Sequence, residues 1–304
     1  MTSRSFLLLL FLSPVVVFSA TEKSLTKRAV TTLVEVLEVG TPIDQIHAAE
    51  VLIPFGYSRT VWEHYYPIRF EQDETPIMRI TNWRALARVD RTPQARQIWI
   101  NKIFDIALTP GFPDRVHAAE SAAKLKAPPP PHVVASMEAW AAEAPDKDAA
   151  FALWCNWSRD LPPEASPQII NWLKTGDGDT RLRVAYMLAR LKPTDPAILA
   201  ALAEAANAAE EVNLVNTVIV SNAHFLKASR TDVPAWRRFL NKAIATNDPL
   251  LIFHAVQGIL PDVVPEDIPN FIPLLDHPAP DARTSAAWVI LVVSQRGPVV
   301  DKAE

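Results

Sequence analysis

Short stretches in which apolar and small residues recur at intervals of three and four positions follow one another along most of the chain. Clear examples run onward from Asp114, Asp179, Leu250 and Asp281. Recurrence with this period places the apolar side chains on one face of an α-helix, and an aspartate just before the first turn can accept hydrogen bonds from its free N–H groups. The alternation typical of β-strands is hard to find. The pattern therefore predicts an all-α fold built from many short helices.

The helices also repeat one another in sequence. The string IHAAE at residues 46–50 returns as VHAAE at residues 116–120, and the other clear helices align with both. Weaker copies lie midway between the clear ones. The alignment places eight residues in one column at spacings of 31 to 38 residues: His47, Thr81, His117, Ala149, Arg183, Asn216, His254 and Ser285. The sequence therefore predicts eight units of about 34 residues.

A second amphipathic stretch precedes most of the column helices, for example from Thr92, Pro163 and Val233. Proline often stands near its first turn, where the backbone N–H has no helical partner to lose. Each unit is thus predicted to be a helical hairpin whose second helix carries the column residue. Because one hairpin cannot bury both apolar faces alone, neighbouring units must stack. We expect residues 21–304 to form a single repeat domain.

One unit shows an aspartate, an apolar residue and a basic residue followed by small residues and leucines. Its members are Asp179, Leu182, Arg183, Ala185, Leu188 and Leu191. This pattern resembles HEAT repeats, especially the short HEAT-like type also found in phycobilisome lyases. The resemblance implies a right-handed α-solenoid, an armadillo-type α-α superhelix of about eight hairpins, whose second helices line the concave face and whose basic residues form a ladder between units. His47, His117 and His254 depart from the usual Arg or Lys of that ladder.

Residues 1–20 have the layout of a secretory signal peptide. Arg4 is followed by an apolar run from Phe6 to Phe18 and then by small residues. The run is shorter than the roughly 20 apolar residues that cross a bilayer, and Pro14 interrupts it. No second long apolar run follows. We therefore expect an exported protein, periplasmic or extracellular, with no membrane span in the mature chain.

Composition argues against several classes of function. The formal net charge is -4, and Lys and Arg are spread along the chain, so a nucleic-acid partner is not expected. Cys155 is the only cysteine and lies among aromatic residues, which is typical of a buried free thiol. There is neither a GxSxG motif nor a glycine-rich loop that could hold phosphate. We therefore predict no cofactor and favour a non-enzymatic protein.

The two HxxE motifs raise the possibility of a metal site. His47 and Glu50 share one helix face, as do His117 and Glu120. Stacked helices lie roughly 8–10 Å apart, however, so motifs two units apart are expected to lie about 20 Å apart. One motif supplies too few ligands by itself. We therefore interpret the motifs as repeated structural elements and predict no metal.

Residues at the column position and three and seven positions beyond it form a mixed-charge stripe on the second helices. The candidate partner-binding residues are His47, Glu50, Arg84, Arg88, His117, Glu120, Arg183, Tyr186 and Arg190. A concave stripe of this kind could bind a protein or peptide, including part of a membrane protein. Alternatively, these side chains pair between units and keep the stack in register. We predict an exported interaction scaffold or accessory subunit.

A cluster of aromatic residues gives a second functional hypothesis. Trp62, Tyr65 and Tyr66 lie on one face of a short predicted helix beside the acidic residues 71–74. Exposed aromatic rings could stack on sugars, which would make the protein carbohydrate-binding or polysaccharide-processing. Alternatively, the three rings pack in the core.

Overall fold

A computed structural model describes residues 20–68, 76, 78–228 and 233–296 of the chain. The predicted signal peptide lies outside these residues except for Ala20, which begins the first helix. The acidic residues 71–74 also lie outside them. No helix within the described ranges is both long enough and apolar enough to cross a bilayer.

The described part of the chain contains 16 α-helices, four short 3₁₀ turns and no β-strand, which confirms the all-α prediction. The odd-numbered helices are α1 (Ala20–Val39), α3 (Ser58–Tyr65), α5 (Pro93–Leu108), α7 (Pro131–Glu143), α9 (Ser166–Thr175), α11 (Pro196–Asn207), α13 (Val233–Ala245) and α15 (Ile268–Phe271). The even-numbered helices are α2 (Pro42–Leu52), α4 (Met78–Val89), α6 (Arg115–Lys124), α8 (Asp146–Asn156), α10 (Gly178–Leu191), α12 (Leu214–Phe225), α14 (Pro249–Ile259) and α16 (Pro280–Arg296).

Helix starts follow local rules. Thr41, Asp177 and Asp248 each accept a hydrogen bond from a backbone N–H of the first turn of the helix that they precede. Proline occupies the first turn of α2, α5, α7, α11 and α14. A chain with 27 prolines can therefore be largely helical, because many of them stand where helices begin.

Each odd-numbered helix packs against the even-numbered helix that follows it. The described residues therefore form eight consecutive helical hairpins. All eight residues of the predicted column lie in even-numbered helices. The sequence repeat thus corresponds to the pairing of helices along the chain.

The even-numbered helices pack against one another in order, from α2 against α4 through to α14 against α16. Helix α16 also packs against α2 and, more extensively, against α1. The eight even-numbered helices therefore form a closed circle of contacts, which we call the inner circle. A solenoid with two free ends would separate the first and last hairpins, so the expected solenoid is not confirmed.

Polar contacts accompany the closure. Thr26 Oγ1 on α1 lies 3.0 Å from Ser294 Oγ on α16. The Arg28 guanidinium donates to both carboxylate oxygens of Asp276 at 2.6 Å, although this pair is exposed. Exposed ion pairs contribute little to stability, so apolar packing of α1 against α16 supplies most of the contact.

Small residues allow the inner helices to approach closely. A Cβ atom at Gly258 on α14 would lie 2.6 Å from Ser221 Oγ and 2.7 Å from Ser221 Cα on α12. The Ser221 hydroxyl donates to the backbone carbonyl of His254. The contact between α12 and α14 therefore requires glycine at this position.

Closure can be tested with a disulfide between the first and last hairpins. The double variant Thr26→Cys, Ser294→Cys places two thiols where the hydroxyl oxygens lie 3.0 Å apart, so we expect a disulfide under mild oxidation. The crosslink joins residues 268 apart in sequence and should speed migration of the denatured chain on a non-reducing gel. Cys155 should not compete, because burial raises the pKa of its thiol to about 12.

A matched control combines Thr26→Cys with Thr175→Cys on α9, a helix of the fifth hairpin. This pair should stay reduced in the folded protein. If Thr26→Cys, Ser294→Cys also stayed reduced, the closed circle would be contradicted.

Candidate functional site

The inner circle surrounds a cavity of about 390 Å³. The first four even-numbered helices contribute, among others, Glu50, Arg88, Lys124 and Trp154 to its wall. The last four contribute, among others, Arg190, Asn222, Gln257 and Trp288. Most of these residues lie in the second halves of their helices, so the cavity occupies one end of the inner circle. All eight hairpins therefore meet at a single pocket.

The first halves of the inner helices contact one another directly. His47 Nδ1 lies 2.9 Å from Asp281 Oδ1, and the His47 ring stacks on Phe253 with 4.2 Å between centroids. Arg183 donates to Asp148 Oδ1 at 2.8 Å. These contacts join α2 to α16 and α8 to α10. The structure thus places His47 and Arg183 in contacts between units, as the alternative interpretation of the stripe expects.

Arg84 connects the two HxxE motifs. Its side chain is only 2% exposed, and its Nε lies 3.4 Å from Glu50 Oε1. Its Nη1 donates to Ser121 Oγ at 3.0 Å and lies 3.4 Å from His117 Nε2. A buried cation of α4 therefore contacts both the motif on α2 and the motif on α6. Within the described ranges, no group of three or more His, Cys, Asp and Glu side chains could hold a metal ion.

Glu50 is the only carboxylate among the described residues that line the cavity. Burial disfavours its charge, but Arg84, Lys124 and Arg88 outweigh burial and hold the pKa of Glu50 well below its usual range. Glu50 Oε1 has no hydrogen-bond partner, and the nearest atoms of Arg84 and Arg88 lie 3.4 and 3.6 Å away. Glu50 is therefore ionised in the folded protein and only loosely paired.

Glu120 and His117 of the second motif, together with His254, are also fixed in one protonation state. Burial opposes the charge of Glu120, but Lys124, whose Nζ lies 2.9 Å away, helps to lower the pKa of Glu120 to about 2. Burial, and then the charge of Arg84, lowers the pKa of His117 to about 4. Burial likewise lowers the pKa of His254 to about 3. At neutral pH the carboxylate is charged and both imidazoles are neutral.

Positive charge dominates the cavity wall. Its described cations are Arg88, Lys124, Lys126, Arg190 and Lys192. Lys124 is paired with Glu120, and the Arg190 guanidinium lies 3.5 Å from the centroid of the Tyr186 ring. None of Lys126, Arg190 and Lys192 forms an ion pair with a carboxylate of the described residues. The wall therefore presents positive charge that an anion could neutralise.

Three lysines adopt a left-handed backbone just after inner helices. They are Lys126 (φ 52°), Lys192 (φ 53°) and Lys227 (φ 53°), which follow α6, α10 and α12. Glycine is usual at such positions, because a side chain costs roughly 1–2 kcal/mol in this conformation. Lys126 and Lys192 line the cavity, whereas Lys227 does not. Two strained positions thus carry cations at the pocket.

The cations occupy only part of the wall. Arg88 lies on α4, Lys124 on α6 and Arg190 on α10, three helices from one half of the inner circle. The lining residues from α12, α14, α16 and the turn that follows α14 are uncharged: Asn222, Phe225, Gln257, Leu260 and Trp288. The pocket therefore has a cationic side and an uncharged side that combines amides with apolar groups.

Sequence reasoning missed several residues of the wall. Lys126, Ser158, Lys192 and Phe225 all line the cavity, and each follows its column residue by nine positions. The predicted stripe counted only three and seven positions onward. Extending the count to nine positions would have found these residues, because the last residues of the helices and the turns after them line the same pocket.

The aromatic cluster lies outside the pocket, in the outer helix α3 and the residue after it. Tyr65 is fully buried. Trp62 stacks on Tyr66 with 4.3 Å between centroids, and Arg91 covers the Trp62 ring at 4.7 Å. Both rings are partly buried against the core. The structure therefore uses these aromatic rings in packing.

Comparison with protein-family models, with curated proteins and with solved structures found no match to this chain. The function therefore has to be inferred from the geometry of the pocket.

The buried histidines predict how stability depends on pH. The folded pKa of His117, about 4, lies below the ordinary value of 6.5, so its contribution to stability is complete above about pH 6.5 and is lost as pH falls towards 4. Across that interval the variant His117→Gln should lose roughly 2–3 kcal/mol less of its unfolding free energy than the parent protein. Urea unfolding at a series of pH values measures this difference.

His132→Gln on the exposed surface of α7 is the matched control and should leave the pH profile of stability unchanged. Equal slopes for His117→Gln and the parent protein would contradict the assignment of a neutral, buried His117.

The strained lysines predict an effect on stability. We expect the free energy of unfolding to rise by roughly 0.5–1 kcal/mol in each of the variants Lys126→Gly, Lys192→Gly and Lys227→Gly. Glycine adopts a positive φ without strain, and the strain energy that it removes is larger than the entropic cost of the more flexible unfolded chain. Urea denaturation followed by the helical circular-dichroism signal measures the change. A loss of stability in all three variants would show that the lysine side chains stabilise these turns.

Proposed function

We propose that the eight hairpins are HEAT-like repeats arranged as a closed ring instead of an open solenoid. The units of about 34 residues and the Asp179 to Leu191 pattern support the relation to HEAT repeats. The contacts of α16 with α1 and α2 support the closed arrangement. In such a ring the second helices line a central cup, in place of the extended groove that an open solenoid would offer.

We further propose that the protein is a non-enzymatic binding protein that receives an acidic segment of a protein or peptide partner in this cup. One observation carries the proposal: all eight inner helices contribute to a single pocket whose described wall has five cations and one carboxylate. Charge complementarity of this kind favours an acidic ligand and speeds its association.

The protonation states support binding over proton-transfer catalysis. A general acid or base works best when its pKa lies near the operating pH. The pKa values of Glu120, His117 and His254, about 2, 4 and 3, lie well below neutrality. Burial also raises the pKa of the Cys155 thiol to about 12, which makes it a poor nucleophile.

We retain export as part of the proposal, because residues 1–20 have the layout of a signal peptide. A scaffold or accessory role outside the cytoplasm fits that location. The glycan hypothesis stays the alternative with less support, since Tyr65 is buried and Trp62 stacks on Tyr66.

The proposal predicts selective binding of an acidic peptide. A fluorescein-labelled peptide of alternating Glu and Ala residues should bind, and a counterpart with Lys in place of Glu should not. The double variant Arg88→Gln, Arg190→Gln should weaken binding at least about ten-fold, because each arginine offers charge-assisted hydrogen bonds. Fluorescence polarisation at two salt concentrations measures the affinity, which should fall as salt rises.

The matched control is Arg59→Gln, Arg238→Gln, which removes the same charge from exposed positions of the outer helices α3 and α13. It should bind like the parent protein. Equal weakening in both double variants would attribute binding to overall charge and overturn the pocket as the site.

A further inference from the structure

The pocket is a cup with one open end. Its lining residues come mainly from the second halves of the inner helices and the turns that follow them. Where the first halves meet, side chains such as Thr81, Phe253 and Ser285 are buried. A peptide threaded along the pocket would need a second exit. A ligand must therefore enter and leave through the same opening.

The uncharged side of the cup holds an amide that lacks a partner. Asn222 is only 2% exposed and lines the cavity. Its side-chain amide makes no hydrogen bond within the described part of the chain, nor does that of the neighbouring lining residue Gln257. Both amides are therefore available to a ligand in the cavity that donates and accepts hydrogen bonds.

Apolar groups adjoin these amides. Phe225, Leu260 and Trp288 complete the uncharged side, on or just after α12, α14 and α16. Arg190 and Lys192 also line the cavity, and neither is paired with a described carboxylate; Lys192 Nζ lies 5.4 Å from the centroid of the Phe225 ring, so cation and apolar surface adjoin. The cup thus combines three chemistries: a cationic side, two amides and an apolar surface.

We propose that the cup binds the free C-terminus of a partner polypeptide, a refinement that rests on the proposed function. The terminal carboxylate pairs with the cationic side, chiefly Arg190 and Lys192. The last peptide group, with one donor and one acceptor, bonds to Asn222 and Gln257. An apolar terminal side chain packs on the surface formed by Phe225, Leu260 and Trp288.

A chain end fits these features better than an internal acidic segment. An internal segment brings two strands of chain into a cup of about 390 Å³, whereas an end brings one. An internal segment also lacks a terminal carboxylate. At a chain end, that carboxylate lies beside both the last peptide group and the last side chain. Cations, amides and apolar groups all line this one cavity, so the three parts of a chain end can each meet a suitable group.

The test compares two forms of one peptide by isothermal titration calorimetry. The peptide is acetyl-Gly-Ser-Ala-Glu-Ala-Leu, made with a free C-terminal carboxylate and with a C-terminal amide. We expect the amide to bind at least about ten-fold more weakly, since it lacks the charge that faces Arg190 and Lys192. Trigalacturonate serves as an acidic sugar probe and should bind more weakly than the free-acid peptide.

Variants locate the contact. Lys192→Gly should weaken binding of the free acid about ten-fold while changing binding of the amide much less. Lys227→Gly is the matched control, because Lys227 has the same left-handed backbone and does not line the cavity. It should bind both peptides like the parent protein. Asn222→Leu should weaken both forms, since it removes the contact with the last peptide group.

The outcomes separate the refinement from the proposed function. Equal affinities for the free acid and the amide would overturn C-terminal recognition, while binding of the acidic alternating peptide through Arg88 and Arg190 would still support the proposed function. Failure of every peptide to bind folded protein would overturn both. Tighter binding of trigalacturonate than of the free-acid peptide would also overturn both, in favour of an acidic sugar.

Discussion

The packing of the last hairpin against the first is the constraint on which the rest of the structure depends. Without the contacts of α16 with α1 and α2, the inner helices would form an open row and present a shallow surface to solvent. With them, eight helices face a common centre, and side chains from distant parts of the chain meet there. Glu50 and Trp288, which line one cavity, are separated by most of the described chain. The pocket is thus a consequence of closure and not of any single repeat.

Closure also dictates where charge can lie. Facing helices exclude water from the first halves of the inner circle, so charged side chains there need partners. His47 meets Asp281, and Arg183 meets Asp148. Just past the middle of α4, Arg84 is almost fully buried and contacts both Glu50 and His117. At the open end, water or a ligand can solvate charge, and the cations there are only partly paired. One repeating register therefore serves packing at one end of the inner circle and places partly paired cations around the cavity at the other.

The repeat and its helices could be predicted from sequence because both depend on local patterns. All eight column residues fall in even-numbered helices, including the weak copies at Ala149 and Asn216. The closed circle could not be predicted, since periodicity defines the length of a unit but not its rotation relative to the next. For the same reason, the estimated separation of the two HxxE motifs overlooked Arg84, whose long side chain spans the helix between them. Glu50, Arg88 and Arg190 were found because they lie within the helices, and Lys126 and Lys192 were missed because they lie just beyond them.

The lysines after the inner helices can have two physical roles, and a comparison of their positions distinguishes the two. The C-terminus of a helix carries roughly half a negative charge, which a nearby cation stabilises. Lys227 after α12 can fill that role without lining the cavity. Lys126 and Lys192 have the same backbone conformation but also line the pocket, so stabilising a helix end does not by itself explain their location. Because glycine would remove the strain and asparagine or water could satisfy the last carbonyls, a cavity-facing lysine at these two positions is best explained by the anion that it would meet.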